Sequence, residues 1–333
     1  MRVPYQTMYD AFCVILIKKG YDVKEAALSA ELFVNASRDG VYTHGLNRFV
    51  KFIDSINLGL VDIHAKPELK ESIGIIERYN GHRGAGNLNA HYCMSRAIKL
   101  AKLHALGCTA LANTNHWMRP GNYGLMAVEQ NCIGILWTNT SPNMPPWGGK
   151  DAILGNNPVV LAVPHKNTPV IVDMAMSMFS NGKLETYARS GKELPVAGGY
   201  DETKHLTKNA SDILKSKQSL PIGYWKGSGL SLALDLIAAT VSGGYTTRMI
   251  RELSAETGLS QMFLAIDLDS FPDRDLLLQN IDDTLTDLKR CAPLNEADCV
   301  RFPGENMMKI RAENMEKGIP VEESIWNRVL ELL

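Results

Sequence analysis

Apolar positions in the first sixty residues recur with a helical period. Met8, Phe12, Ile15 and Leu16 make one face that Gly20 stops, and Asp22 with Glu25 forms a capping-box start for a second helix running toward Ser37. A third helix begins after Gly45, with Leu46, Phe49, Val50, Ile53 and Ile56 on one side. Residues 67–78 turn extended, a glycine-rich turn follows at residues 80–86, and residues 87–106 return to the helical period. Beyond residue 108, short apolar runs at 108–112, 133–138, 159–163 and 170–172 alternate with polar turns in the manner of buried strands, and 262–267 is a further strand candidate. Residues 198–219 read as a polar surface excursion, whereas 230–241, 276–288 and 322–333 are helical.

These elements predict an α/β fold with a mixed, largely buried sheet. Residues 67–274 would form the α/β subdomain, and residues 1–66 with 275–333 a helical subdomain in which the two chain ends fold together. The glycine-rich turn invites comparison with the dinucleotide fingerprint Gly-x-Gly-x-x-Gly/Ala. Asn89 stands where a small residue is needed and no acid follows about 20 residues on, so a Rossmann fold is not supported.

Composition narrows the function class. With 45% hydrophobic and 21% charged residues and a formal net charge of −1, the chain has no basic excess to bind nucleic acid. Lys18 and Lys19 interrupt the first helical pattern, which is unlike a signal peptide, and no apolar run approaches the roughly 20 residues of a membrane span; a cytoplasmic location is expected. Six cysteines without Cys-x-x-Cys spacing read as reduced core residues.

Chemistry gathers in the stretch Asp39-Gly40-Val41-Tyr42-Thr43-His44-Gly45-Leu46-Asn47-Arg48. An imidazole moves protons near neutral pH and a guanidinium clasps a carboxylate through two parallel bonds. With His44 in the first helical turn, the four-residue spacing to Arg48 would put both on one face. Asp39 is a candidate to orient the imidazole. Further polar turns occur at residues 113–119, 141–148, 155–158 and 173–177, and the segment 221–229 sets Lys226 at a helix start, a place suited to anions but without P-loop spacing.

Six of these stretches, Val41-Tyr42-Thr43-His44-Gly45-Leu46-Asn47-Arg48-Phe49, Asn115-His116-Trp117-Met118-Arg119, Met144-Pro145-Pro146-Trp147-Gly148, Gly155-Asn156-Asn157-Pro158, Asp173-Met174-Ala175-Met176-Ser177 and Tyr224-Trp225-Lys226-Gly227, occur in the order and spacing of one family. The chain resembles the malate/L-lactate dehydrogenases that lack a Rossmann domain, and within them a branch acting on sugar acids. The resemblance implies reduction of a 2-keto sugar acid by NADH on a homodimer with an unusual NAD-binding fold, without a metal. It implies that His44 donates the proton to the reduced carbonyl oxygen, Arg48 holds the substrate carboxylate, and His116 lines the same pocket beside Thr43. NAD would contact Thr168, Pro169, Val170, Ile171, Val172, Asp173, Met174, Tyr224, Trp225, Gly304, Glu305 and Asn306.

Two departures bear on substrate. Thr43 replaces the serine usual before the catalytic histidine, keeping a hydroxyl and adding a methyl that trims the pocket. Tyr224-Trp225 fill positions where many members carry a glycine pair, which favours the sugar-acid branch over malate or lactate. Taken without the resemblance, Arg48 could serve a surface ion pair, His116 could bond the next turn, Lys226 could be solvated, and Trp147 and Trp225 could be packing residues. Two other classes stay open: a metal-dependent hydrolase using His44, His116 and Asp173, although no His-Glu-x-x-His spacing is present, and a noncatalytic sugar-acid binding protein.

Overall fold

The computed structural model describes residues 1–166, 168–295 and 299–333. The apolar runs assemble into a seven-stranded sheet: β1 (Glu68–Ile73), β2 (Ile76–Asn80), β3 (Leu106–Thr114), β4 (Cys132–Thr138), β5 (Val159–Val163), β6 (Val170–Met174) and β7 (Leu259–Asp267), in spatial order β1-β2-β3-β7-β4-β5-β6. β2 and β3 pair in parallel and every other neighbouring pair is antiparallel, so the sheet is mixed. The last of these seven strands in sequence enters the middle, where Leu264 of β7 faces Cys108 on one side and Ile135 on the other. The extended run at 67–78 is two strands folded back on each other, Ile73 opposite Ile76, with β1 exposed along its length.

The amphipathic segments become α1 (Tyr5–Lys18), α2 (Val23–Arg38) and α3 (Leu46–Asn57), and Asp22 caps α2 by accepting from the Lys24 amide at 2.9 Å. Their apolar faces meet around Phe12, Phe33 and Phe49, the rings of Phe12 and Phe49 stacked 3.8 Å apart. On one face of the sheet lie α4 (Gly86–His104) and α5 (Gly121–Glu129), burying Met94, Ala97 and Tyr123 with Leu111 and Phe263.

The expectation of a bare surface excursion at 198–219 needs correction. α6 (Asn181–Ser190) and α7 (Ala210–Ser216) enclose a small core of Leu184, Leu194, Ala210 and Ile213. Phe179, Tyr187, Ala188 and Leu214 pack against these four, but only Ala210, Ile213 and Leu214 of the cluster fall within 198–219, too sparse a signal to stand out among the polar residues. α8 (Trp225–Ser242) packs Leu234 and Ala238 against Ala110 and Met262 on the sheet's other face and leads to α9 (Thr247–Ile250). The C-terminal third supplies α10 (Arg274–Arg290), α11 (Glu305–Lys317) and α12 (Glu323–Leu330).

Both chain ends share one core, because Val3 pairs with Ile319 and Trp326 and Val329 pack into the cluster formed by α1 to α3. Cys93, Cys108 and Cys132 are buried, but Cys291 and Cys299 are exposed, so the cysteines are not uniformly core residues. Among the described residues no helix is long and apolar enough to cross a membrane.

Candidate active site

The first polar stretch is shaped by a break between two helices. α2 ends at Arg38, Tyr42–His44 form one short 3₁₀ turn, and α3 starts only at Leu46, after Gly45 leaves the helical region. His44 therefore precedes α3 and does not share a helix face with Arg48. The two meet across the turn, both lining a cavity of about 370 Å³ with Thr43 and His116. Gly86 fixes the other wall: a Cβ there would lie 2.2 Å from the Asn115 carbonyl oxygen and 2.3 Å from that of His116, so α4 can seat the His116 turn only with glycine at its first position.

The two imidazoles have different environments. Nδ1 of His44 is 3.2 Å from the Thr43 hydroxyl oxygen, and its ring lies 6.0 Å from that of His116, the planes 17° apart. Burial, and then the charges of Arg48 and Arg119, push the His44 pKa down from 6.5 to about 4. His116 is held well below its ordinary value by burial, then by Arg48 and His44. The Met118 amide donates to His116 Nδ1 at 3.0 Å, so the neutral ring carries its proton on Nε2.

Arg48 has no ion pair or side-chain hydrogen bond among the described residues, which leaves its guanidinium available to an anion in the cavity. Asp39 does not orient His44. Its buried carboxylate accepts from Arg38 Nε at 2.7 Å, Arg119 Nη1 at 2.6 Å, and Arg311 Nε and Nη2 at 2.7 Å each. Burial raises its pKa, but the bonds from Arg311 and Arg38 and the charge of Arg119 outweigh that and hold it well below the carboxylate range.

The expected cofactor segments are only partly brought together. β6 is an edge strand; the Ile171 amide donates to the Pro303 carbonyl at 3.0 Å, and Ile171, Asp173, Met174 and Gly304 line the same cavity as His44. Asp173 accepts from the Gly121 amide at 3.0 Å, and burial raises its pKa against Arg119 and that amide. Pro169 borders a second cavity of about 430 Å³ beside α10, and Glu305 pairs with Lys289 at 2.5 Å. Thr168, Val170, Val172 and Asn306 flank these contacts without lining the His44 cavity. Tyr224 and Trp225 lie outside it too, Tyr224 against Trp147 with ring centroids 4.7 Å apart, and Lys226 is exposed beside them.

Other wall residues went unmarked in the sequence. Lys51 follows Arg48 on α3, Gly182 and Glu185 come from α6, Asn143 from the proline-rich turn, and Glu256 from the segment before β7. Nothing in the sequence around Glu256 or Glu185 distinguishes them from solvated acids; Asn143 lay in a turn already notable for its prolines. Asn143 Oδ1 and Arg119 Nε are buried without a partner among the described residues, so this wall can still accept from and donate to a bound molecule. Among the described residues no three His, Cys, Asp or Glu side chains converge to hold a metal, so His44, His116 and Asp173 do not form a ligand set.

The family model described as malate/L-lactate dehydrogenase matches residues 3–330. Proteins named 2,3-diketo-L-gulonate reductase from Escherichia coli O6:K15:H31 (strain 536 / UPEC) and Klebsiella pneumoniae (strain 342) are each 43% identical to the chain over 334 aligned residues, covering 99% of both partners. Among solved structures, malate dehydrogenase from Entamoeba histolytica superposes with a TM-score of 0.95 at 25% identity, covering 100% of this chain and 97% of its own. Malate dehydrogenase from Pyrococcus horikoshii OT3 does so at 0.90 and 28%, covering 100% and 94%. The chain is thus an oxidoreductase, and it belongs to the malate/L-lactate dehydrogenase family.

Proposed function

We propose that this enzyme reduces 2,3-diketo-L-gulonate to 3-keto-L-gulonate with NADH, the hydride going to the 2-keto carbon and the proton coming from His44. One observation carries the reading: an imidazole and an unpaired guanidinium face one small cavity in a chain 43% identical, end to end, to proteins named for that reaction. When bound, the nicotinamide supplies the hydride. Arg48 grips the carboxylate through paired N–H donors, which fixes the adjacent carbonyl next to the histidines. Thr43 occupies Nδ1 of His44, so Nε2 is the nitrogen left to hand a proton to the developing alkoxide. His116, neutral with its proton on Nε2, donates a hydrogen bond without titrating.

The edge strand β6, the Gly304 turn bonded to it and the polar atoms of Asn143 and Arg119 left without partners among the described residues suit a cofactor laid along a largely antiparallel sheet, outside any Rossmann crevice. Tyr224 and Trp225 would reach only its remote part. We place residues 67–274 as the unit that carries the cofactor and residues 1–66 with 275–333 as the helical unit, a division supported by the core shared between the chain ends. A homodimer working in the cytoplasm completes the proposal.

The alternative is reduction of another 2-keto acid, which the malate dehydrogenases among the structural neighbours favour. Following NADH absorbance with 2,3-diketo-L-gulonate, oxaloacetate and pyruvate in turn decides between them. Faster loss with the sugar acid is expected. A preference for oxaloacetate would overturn the assignment, and binding without NADH loss would mean a carrier.

A further inference from the structure

A second chamber adjoins the His44 cavity. It holds about 260 Å³, many times what one water requires. Arg48, Lys51, His116 and Glu256 line both spaces, so the two meet at the group that grips the carboxylate and at the histidine beside the carbonyl. Ser55, one helical turn beyond Lys51 on α3, donates its hydroxyl to the Lys51 carbonyl at 2.9 Å, and Asn115 donates its amide nitrogen to the carbonyls of Leu60, Arg83 and Gly84, so both meet a ligand through their oxygens, while Phe52, Leu60, Val61 and Met118 supply apolar surface. Polar groups beside apolar surface match a carbon chain that carries hydroxyls.

The charges at this wall decide between tails. Lys51 is matched by Glu185 of α6, the ammonium 2.9 Å from the carboxylate. Glu256 accepts from the Ser141 amide at 3.0 Å through one oxygen, and no protein donor among the described residues satisfies the other. His116 stays neutral because burial opposes its charge. Once a substrate carboxylate occupies Arg48, the surplus charge at the chamber is therefore that of Glu256. A second carboxylate on the substrate would meet repulsion there, whereas hydroxyls would donate to the free oxygen.

We propose that this chamber is the subsite for the hydroxylated tail of a 2-keto acid, with Glu256 as the group that selects hydroxyls and rejects a second carboxylate. The inference rests on the proposed keto-acid reduction and adds to it which end of the substrate is read, and by what. Glu256 acts on specificity and touches none of the reacting atoms.

Two variants approach the subsite differently. Glu256→Gln keeps an acceptor for the Ser141 amide and presents an amide N–H₂ to the chamber in place of the carboxylate oxygen. Ser55→Leu fills the chamber with bulk from the surface of α3 and leaves the charges alone. For each, kcat/KM is measured with pyruvate, oxaloacetate and 2-keto-L-gulonate, a six-carbon 2-keto acid with a hydroxylated tail. Calorimetry with L-gulonate and L-lactate records binding independently of turnover.

For Glu256→Gln, the ratio of 2-keto-L-gulonate to pyruvate should fall about tenfold or more, the loss of a hydrogen bond to a charged group, while oxaloacetate improves relative to pyruvate. For Ser55→Leu the first ratio should fall by a similar factor without the gain for oxaloacetate, and Kd for L-gulonate should rise against that for L-lactate. Ratios that stay within twofold of the wild type in both variants would overturn the subsite. If the unmodified enzyme reduces none of the acids with either nicotinamide coenzyme, the proposed function fails, and the L-gulonate to L-lactate binding ratio in Ser55→Leu still decides the chamber.

Discussion

Burial, with Arg48 and then Arg119, lowers the His44 pKa from 6.5 to about 4, so the ring is neutral in the free enzyme at pH 7 although the proposed reduction needs it protonated. The gap corresponds to about 3 kcal/mol at roughly 1.4 kcal/mol per pH unit. A substrate carboxylate on Arg48 would counter it: one unit charge about 5 Å from the ring contributes on the order of 3 kcal/mol at an effective dielectric near 20. Binding should therefore return His44 to an ordinary pKa, and the substrate should arrive with uptake of a proton. The sign of each kinetic profile follows. In the reducing direction kcat/KM, which reports the free enzyme, should fall about tenfold per pH unit from pH 5 upward, while kcat, which reports the complex, should hold level to about pH 6 and decline only above it. In the oxidising direction the neutral ring is the base, and kcat/KM should stay flat from pH 5 to 8. Arg48→Met removes the charge with the stronger effect on His44 and should move the free-enzyme limb upward while raising KM. The assay is steady-state kinetics in both directions across pH, with an NMR titration of the His44 ring assigned by His44→Gln. A free-ring pKa near 6.5, or reductive kcat/KM independent of pH from 5 to 8, would refute the reasoning.

Other consequences rest on single contacts. His116→Gln keeps a donor in place of a ring that does not titrate, so it should lower kcat without moving the pH profile, whereas His44→Ala should lose most turnover and the profile's limb while still binding NADH in a fluorescence titration. Asp39→Asn should destabilise the fold by about 3–5 kcal/mol in urea unfolding near pH 7, since it leaves the buried Arg119 and half-buried Arg311 facing a neutral amide. In Gly182→Ala the new Cβ would stand 2.6 Å from Thr43 Cβ, so α6 must shift away from the cavity; KM should rise with little change in the unfolding midpoint. Because the folded His44 pKa lies below its unfolded value, its contribution to stability is complete above about pH 6.5 and is lost as pH falls toward 4; the urea midpoint of the wild type should drop across that window more steeply than that of His44→Gln.

The periodic elements were legible because their cause is local. α3 buries Leu46, Phe49, Val50 and Ile53 as its period demands, and β5 coincides with the run that announced it. Asn89, which spoiled the dinucleotide fingerprint, serves the fold instead, because its amide donates to the Gly81 carbonyl and the Thr114 hydroxyl, both at 3.0 Å, and ties the glycine-rich turn to β3. What the sequence hid are pairings set by the tertiary fold. Asp39 stands five residues from His44, yet its partners Arg119 and Arg311 are 80 and 272 positions away, so nearness in sequence suggested the wrong contact. Glu256 and Glu185 reach the cavity from segments whose own pattern says only that they are solvated.

The same long-range pairings explain why the turn carrying His116 can hold its geometry while standing between packed units. After His116, the next two side chains go to different cores: Trp117 packs with Tyr123 and Phe263 under the sheet, and Met118 packs with the helices of the chain ends. Any slip of one core against the other must pull on the residue between them. The Asp39 carboxylate opposes such a slip by bonding α2's end to Arg119 on the same turn and to Arg311 on α11. A buried ion cluster of this kind is a poor source of net stability but a strong determinant of relative position, because each partner is costly to leave unpaired. The arginine whose charge helps keep His44 neutral thus also anchors the turn carrying His116, and protonation and geometry at this site cannot be altered independently through Arg119.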